Sequence, residues 1–171
     1  ARLVDRMLVI LPFEEELYHR EGVAVEFVGH PLLDVIPPPG DRHDFATRHR
    51  LDPDAERVAL VPGSRRAEVS RLLPTMVAAA AALPASSERQ FLVPAARALG
   101  ADAYRESFAA APAALAPRLR RIDDDTYEAL RHSRAAVVCS GTATLETALV
   151  GTPLVIVYRT SWLTYNLAKL L

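Results

Sequence analysis

The chain is short of several things, and each shortage excludes a class of protein. It has one cysteine, Cys139, so no disulfide framework can staple it, and a reducing compartment fits best. Its 171 residues carry a formal net charge of -1, which leaves no general electrostatic footprint for nucleic acid. No apolar run approaches the roughly 18 residues needed to span a bilayer. No signal-peptide pattern opens the chain. His19, His43, His49 and His132 are scattered without ligand spacing, which argues against a zinc site. Lysine is almost absent, Lys169 being the only one, so arginine supplies the positive charge. Alanine and proline are abundant alongside it, as a GC-rich genome would produce. Arginine richness by itself is therefore not read as phosphate binding.

What is present is one chemical pattern stated twice. Leu60-Val61-Pro62-Gly63-Ser64-Arg65-Arg66-Ala67-Glu68 stands near the middle, and Val137-Val138-Cys139-Ser140-Gly141-Thr142-Ala143-Thr144-Leu145-Glu146 near the end. Each is an apolar run, a turn rich in Gly, Ser or Thr, and a helical pattern with a Glu near its start. The pattern predicts a strand feeding a helix N-terminus through a tight loop. The first N–H groups of a helix lack internal partners and the dipole adds positive potential, so such loops hold anions. Two of them in one domain suggest a ligand with phosphates.

The rest of the chain alternates between strand and helix patterns. Strands are predicted at Met7–Leu11 (buried), Val23–Val28, Arg57–Val61, Gln90–Val93, Leu119–Ile122, Ala135–Cys139 and Leu154–Val157. Helices are predicted at Phe13–Arg20, Arg42–His49, Arg97–Ala110, Asp125–His132 and Thr142–Val150, with an apolar last helix opening at Ser161. The clearest helix carries Val69, Leu72, Leu73, Met76, Val77, Ala80 and Leu83 on one face and stops at Pro84. This alternation implies right-handed crossovers: an α/β fold with a Rossmann-like parallel sheet and helices on both faces. Pro37-Pro38-Pro39-Gly40 cannot lie in a helix or central strand, so residues 35–56 read as a linker with a short helix. That boundary leaves residues 1–34 as one piece and 57–171 as the main domain. The first residue, Ala1, and a last segment without a cap read as a piece of a longer protein.

Several residues could carry chemistry. Gly63 permits a tight turn, Ser64 is a candidate N-cap, and Arg65 could fork onto phosphate oxygens. The loop lacks the Gly-Lys-Ser/Thr ending of a Walker motif and the Gly-x-Gly-x-x-Gly of a dinucleotide site. In the second loop Ser140, Gly141, Thr142 and Thr144 suit a diphosphate. Glu146 stands one turn after Thr142 and could accept from both hydroxyls of a ribose. Alternatively both glutamates merely complement helix dipoles, although a strict capping box would need each acid one residue earlier. His30 and Asp123-Asp124-Asp125 read as structural or solvated, and Cys139 as a small buried residue. Trp162, Leu163, Leu167, Leu170 and Leu171 form an apolar stripe suited to packing or to a lipid surface.

Together these segments resemble lipid-A-disaccharide synthase, a bacterial glycosyltransferase of the GT-B class. The matching stretches are Leu11-Pro12-Phe13-Glu14, Phe27 to Asp34 with Gly29-His30-Pro31, Pro62-Gly63-Ser64-Arg65 with Glu68, Ser140 to Glu146, and Pro153 to Arg159. The resemblance implies two Rossmann-like domains across a cleft. Residues 1–34 would be the last βαβ piece of the acceptor-side domain and 57–171 most of the UDP-binding domain. It implies transfer of a diacylglucosamine from its UDP derivative to diacylglucosamine 1-phosphate, with inversion and without a metal or other cofactor. UDP would be held by Gly63, Ser64, Arg65, Ser140, Gly141, Thr142, Thr144 and Glu146. The general base would lie in the acceptor-side domain, leaving no catalytic residue in this chain. Peripheral contact with the inner face of the cytoplasmic membrane and homo-oligomer formation are compatible with this reading. Two other readings stay open. One is another GT-B enzyme acting on UDP-sugars, of the UDP-N-acetylglucosamine 2-epimerase or muramyl-peptide glycosyltransferase type. The other is a non-catalytic sugar-nucleotide-binding module.

Overall fold

The structure, a computed structural model, describes residues 3–84, 89–159 and 169. The chain divides into two compact units, residues 1–37 and 38–171. The division falls inside the predicted 35–56 linker, and residues 38–56 belong with the larger unit. The reason is Phe45. It sits on helix α3 (Arg42–Arg48), is fully buried, and packs with Ala46, Leu51, Leu92, Ile122 and Ala129. Asp41 caps this helix, its carboxylate accepting from the His43 and Asp44 N–H groups at 2.7 and 3.0 Å.

In the smaller unit, β1 (Met7–Val9) pairs in parallel with β2 (Val25–Phe27), and α1 (Pro12–Arg20) connects them. Pro12 occupies the first turn of α1, where a missing N–H costs nothing. The sequence pattern suggests a buried first strand, but only Val9 is buried; Leu8 and Ile10 are exposed. With two strands and one helix packed on them, the unit covers too little apolar surface among the described residues to bury more. A one-turn helix, α2 (Leu32–Val35), follows Gly29-His30-Pro31 and has no counterpart in the sequence pattern.

The larger unit holds five parallel strands: β3 (Glu56–Val61), β4 (Arg89–Pro94), β5 (Leu119–Ile122), β6 (Ala135–Cys139) and β7 (Leu154–Val157). Their order is β5-β4-β3-β6-β7. Side chains alternate across a strand, so neighbouring residues feed opposite layers. Leu60, Phe91, Val93 and Cys139 pack with α4 (Arg66–Ala82) and Tyr104 of α5 (Asp102–Ala109). Ala59, Val61, Ala136 and Val138 face the other way, onto Leu130 of α6 (Thr126–Arg131) and Ala143 and Val150 of α7 (Thr142–Val150). Both faces are therefore covered, as parallel sheets require.

Helix α4 follows its predicted stripe: Val69, Leu72, Leu73, Met76, Val77 and Ala80 are all buried. Leu83 departs from it, 45% exposed, because the helix ends at Ala82 and Leu83 is the extended C-cap before Pro84. Helix α5 is shorter than the predicted Arg97–Ala110. Residues 96–101 form turns, with the Leu99 N–H bonded to the Ala96 carbonyl, and the chain enters the helix only after Gly100. The predicted last helix from Ser161, with its apolar stripe, lies outside the described residues.

Candidate functional site

Strand order places the site. From β3 the chain moves outward through β4 and β5, then returns to the other side of β3 for β6 and β7. The carboxyl ends of β3 and β6 thus form the switch point of the sheet, where crossovers leave in opposite directions and open a crevice. A cleft of about 220 Å³ lies there. Its walls come from Val61, Gly63, Ser64, Arg65 and Glu68 after β3, and from Cys139, Ser140, Gly141, Thr142 and Ala143 after β6. Pro94, Ala96 and Thr126 complete it. Two loops whose glycines, Gly63 and Gly141, stand 78 positions apart in sequence meet at one opening.

The first loop is closed on itself. Gly63 has φ +108°, and a Cβ there would collide with the Glu68 side chain. Ser64 is not the N-cap of α4; Arg65 is. That moves Glu68 to the third helical position, where its carboxylate reaches back in the backbone half of a capping box. Glu68 Oε2 accepts from the Ser64 and Arg65 N–H groups at 3.0 and 3.2 Å. Its Oε1 accepts from Arg65 Nη1 at 2.7 Å. Burial alone would raise the Glu68 pKa, but the Arg65 guanidinium and the two N–H groups outweigh it and hold the carboxyl below its ordinary value. The donors that could meet an anion here are occupied by the protein's own carboxylate.

The second loop is open. Gly141 is the N-cap of α7, with φ +151° and ψ -161°, backbone that side chains rarely adopt. A Cβ there would meet nothing within 4 Å. The Ser140 N–H is bonded to the Val157 carbonyl at 2.9 Å, which ties the loop to β7. The Gly141 and Thr142 N–H groups and the Ser140 and Thr142 hydroxyls have no acceptor among the described residues. These are the unpaired donors of a helix start. Thr144 is committed elsewhere: its N–H and Oγ1 both donate to the Gly141 carbonyl, at 3.0 and 2.6 Å. Neither Thr144 nor Glu146 lines the cleft.

Glu146 differs from Glu68 in register. With Gly141 as N-cap it stands at the fifth helical position, too far along to reach the loop N–H groups. The Tyr127 hydroxyl, from α6, instead donates to Glu146 Oε1 at 3.1 Å. Burial first, then the Glu146 charge, raises the Tyr127 pKa, so the phenol stays protonated and donates. The sequence pattern marks neither Thr126 nor Tyr127. Their one signal is position: they open the helix after β5, at the same carboxyl edge as the two Gly loops.

The remaining candidates have structural employment. His30 Nδ1 accepts from the Leu32 N–H at 3.2 Å. Asp123 pairs with Arg121, Asp124 with Arg97, and Asp125 with Arg48 and His49. Burial pushes the Cys139 thiol up, with the Glu68 charge adding to the rise, which makes it a poor nucleophile. Among the described residues, no three His, Cys, Asp or Glu side chains gather as a metal centre. No helix among them is long and apolar enough to cross a membrane.

The profile of the lipid-A-disaccharide synthetase family matches residues 1–171. The chain belongs to that family. Among relatives, the lipid-A-disaccharide synthase of Syntrophus aciditrophicus (strain SB) is 49% identical over 170 residues, covering 99% of this chain and 44% of the relative. That of Anaeromyxobacter sp. (strain K) is 46% identical over 172 residues, covering 100% of this chain and 44% of the relative. The chain thus spans less than half the length of these relatives. Two solved structures share the fold. The GtfA/B complex gives a TM-score of 0.53 at 15% identity, covering 92% of this chain and 31% of that one. The ADP-heptose LPS heptosyltransferase II of E. coli gives 0.51 at 12%, covering 91% and 62%. The fold is α/β with a parallel sheet covered on both faces, as the alternation of elements predicts, and of the GT-B type that the family resemblance implies.

Proposed function

We propose that this chain carries the UDP-binding part of a lipid-A-disaccharide synthase. In that reaction a diacylglucosamine passes from its UDP derivative to the hydroxyl of a diacylglucosamine 1-phosphate. The observation that carries the reading is the open helix start at Gly141–Thr142, set at the switch point of the sheet with Glu146 one turn behind it. A cleft of about 220 Å³ suits a diphosphate and is smaller than the ~300–1,000 Å³ of a whole small-molecule site. The sugar and its acyl chains would lie beyond it. Residues 1–37 would then belong to the acceptor-side domain.

The roles follow from the donor inventory. The Gly141 and Thr142 N–H groups with the Ser140 and Thr142 hydroxyls take the diphosphate oxygens. Glu146 Oε2, which has no protein partner among the described residues, accepts from the ribose. Arg65 is 80% exposed and, among the described residues, held only by Glu68, so it can turn from that carboxylate to the β-phosphate. As the acceptor oxygen attacks the anomeric carbon in line, the bond from that carbon to the β-phosphate oxygen breaks. Negative charge builds on UDP, where the α7 dipole and Arg65 stabilise it. The base that takes the acceptor proton would come from the acceptor-side domain.

Calorimetric titration with UDP, beside ADP and without metal, tests the site. Selective binding of UDP, with affinity lost in both Glu146→Ala and Arg65→Ala, supports it. Equal binding of UDP and ADP, or unchanged binding in the variants, removes the assignment.

A further inference from the structure

A second cavity lies at the opposite edge of the sheet, where the strands begin. It measures about 390 Å³ and is lined by Arg42, Arg57, Arg131 and Arg134, with His132, Ser133, Asp54 and Glu56. Arg57 starts the interior of β3, and the Arg134 N–H binds the Arg57 carbonyl at 2.8 Å just before β6. The nucleotide cleft begins at Val61 and Cys139, at the far ends of the same two strands. No residue is shared between the two linings.

Arg57 is the anomaly. Its side chain is buried, with the residue 1% exposed. Nη2 donates to the Asp52 carbonyl at 2.8 Å and more weakly to the Pro53 carbonyl at 3.4 Å. Nε and Nη1 are buried without an acceptor. No carboxylate forms an ion pair with it among the described residues; the Phe45 ring lies 5.9 Å from the guanidinium carbon, and the more distant Asp52 charge favours the protonated form. Burial, then the Arg42 charge, pulls its pKa down from the usual arginine value. Arginine does not give up its proton in proteins, so the unmet donors call for an acceptor from outside.

The neighbours fit that need. Arg42 uses one nitrogen on the Ala55 carbonyl at 3.1 Å. Arg134 is 80% exposed and only loosely held by Glu56, at 3.8 Å. Both are long exposed side chains free to rotate aside and admit an oxygen to Arg57. Glu56 is already shared between Arg89 and Arg134, and Glu128 is engaged by Arg131 and His132. Asp54 is the remaining carboxylate in the lining. With Arg131 committed to Glu128, the guanidiniums of Arg42, Arg57 and Arg134, from α3, β3 and the turn before β6, face the carboxylates of Asp54 and Glu56. A tetrahedral dianion with several acceptor oxygens matches that arrangement better than a planar carboxylate does.

We propose that this cavity is a second anion site that takes a phosphate group, separate from the nucleotide cleft. The test uses the full-length protein with UDP saturating, so that the first site is filled. Inorganic phosphate is titrated against chloride at matched ionic strength, with the unfolding midpoint and calorimetric heat as readouts. The expected result is saturable binding and a rise of about 1–3 °C at tenfold excess over Kd. Arg57→Met should weaken phosphate binding at least tenfold, and Arg134→Ala several-fold, with UDP affinity unchanged in both. Equal effects of phosphate and chloride overturn the proposal. So does a folded Arg57→Met protein that gains as much from phosphate as the parent. If Arg57→Met does not fold, Arg42→Ala with Arg134→Ala decides: undiminished phosphate affinity in that pair overturns the site.

Discussion

The loops at 63–68 and 140–146 share a sequence pattern and do opposite things with it. In the first, Glu68 stands three residues after its N-cap and folds back over the loop, taking two backbone N–H groups and the Arg65 guanidinium. In the second, Glu146 stands five residues after its N-cap, leaves the loop donors alone, and meets Tyr127. In the proposed reading the second loop, with its donors unpaired among the described residues, is the standing anion site. The first is closed by Glu68, a latch that in the proposed reading delivers Arg65 only when Glu68 releases it. A shift of two positions in helical register separates a carboxylate that closes its own loop from one that leaves the loop donors free, because only the third helical position reaches the N-cap backbone.

The largest expected effect falls on the open side. Glu146→Ala removes an acceptor for charge-assisted hydrogen bonds worth about 1.5–3 kcal/mol each, so UDP affinity should fall about 100-fold. Stability should fall only by the Tyr127 hydrogen bond, about 1 kcal/mol, since Glu146 caps nothing. A variant that loses stability but keeps UDP affinity would make Glu146 a structural residue like Glu68 and end the contrast.

Glycine substitutions separate the loops by stability. Gly63→Ala meets both a positive φ and the Glu68 side chain, whereas Gly141→Ala meets a strained φ in open space. Strain of this kind costs about 1–3 kcal/mol. Gly63→Ala should lie at or beyond the upper end and Gly141→Ala lower, measured by denaturant midpoints. The reverse order would mean that loop 63–68 is not latched.

The latch itself is tested by Glu68→Gln. Losing a capping carboxylate should cost about 0.5–2 kcal/mol. Freed from its ion pair, Arg65 should bind UDP several-fold more tightly, so affinity rises as stability falls. The pH dependence has a definite sign. The Glu68 pKa is lower in the folded state than its ordinary value of 4.5, so its stabilisation is fully present above about 4.5 and is lost as pH falls through the folded pKa. The stability gap between parent and variant should narrow from pH 5 downward. A constant gap across that range would remove the ionic account.

Much of this was legible in the sequence, and the limits have physical causes. Strand β6 and helix α7 match their predicted spans because an apolar run, Ser140-Gly141, and Gly151 mark their ends. The Val69–Ala80 stripe is read from helical periodicity, which tertiary packing obeys. Helix register at the N-cap is harder. Ser64 has the better capping side chain, yet Arg65 takes the position because the Glu68 carboxylate supplies the bonds that a serine would. The cleft's pairing of residues 63–65 with 140–142 rests on β3 lying beside β6, a long-range fact that no local pattern encodes. Phe45 is hidden for the same reason: its partners Leu92, Ile122 and Ala129 come from three later elements. Leu8 and Ile10 mislead in the other direction, since an apolar strand reads as buried whether or not anything covers it.

The smallest effect is the finest probe of the open loop. The Tyr127 hydroxyl holds Glu146 Oε1 at 3.1 Å and leaves Oε2 for a ligand. Tyr127→Phe keeps the ring and removes this bond, worth about 1 kcal/mol, so UDP affinity should fall about fivefold. Removing both groups in Tyr127→Phe/Glu146→Ala should cost no more than Glu146→Ala alone, because the phenol acts only through the carboxylate. Additive losses would show instead that Tyr127 touches the nucleotide itself. The β5–α6 turn, and not only the two Gly loops, would then form part of the binding surface.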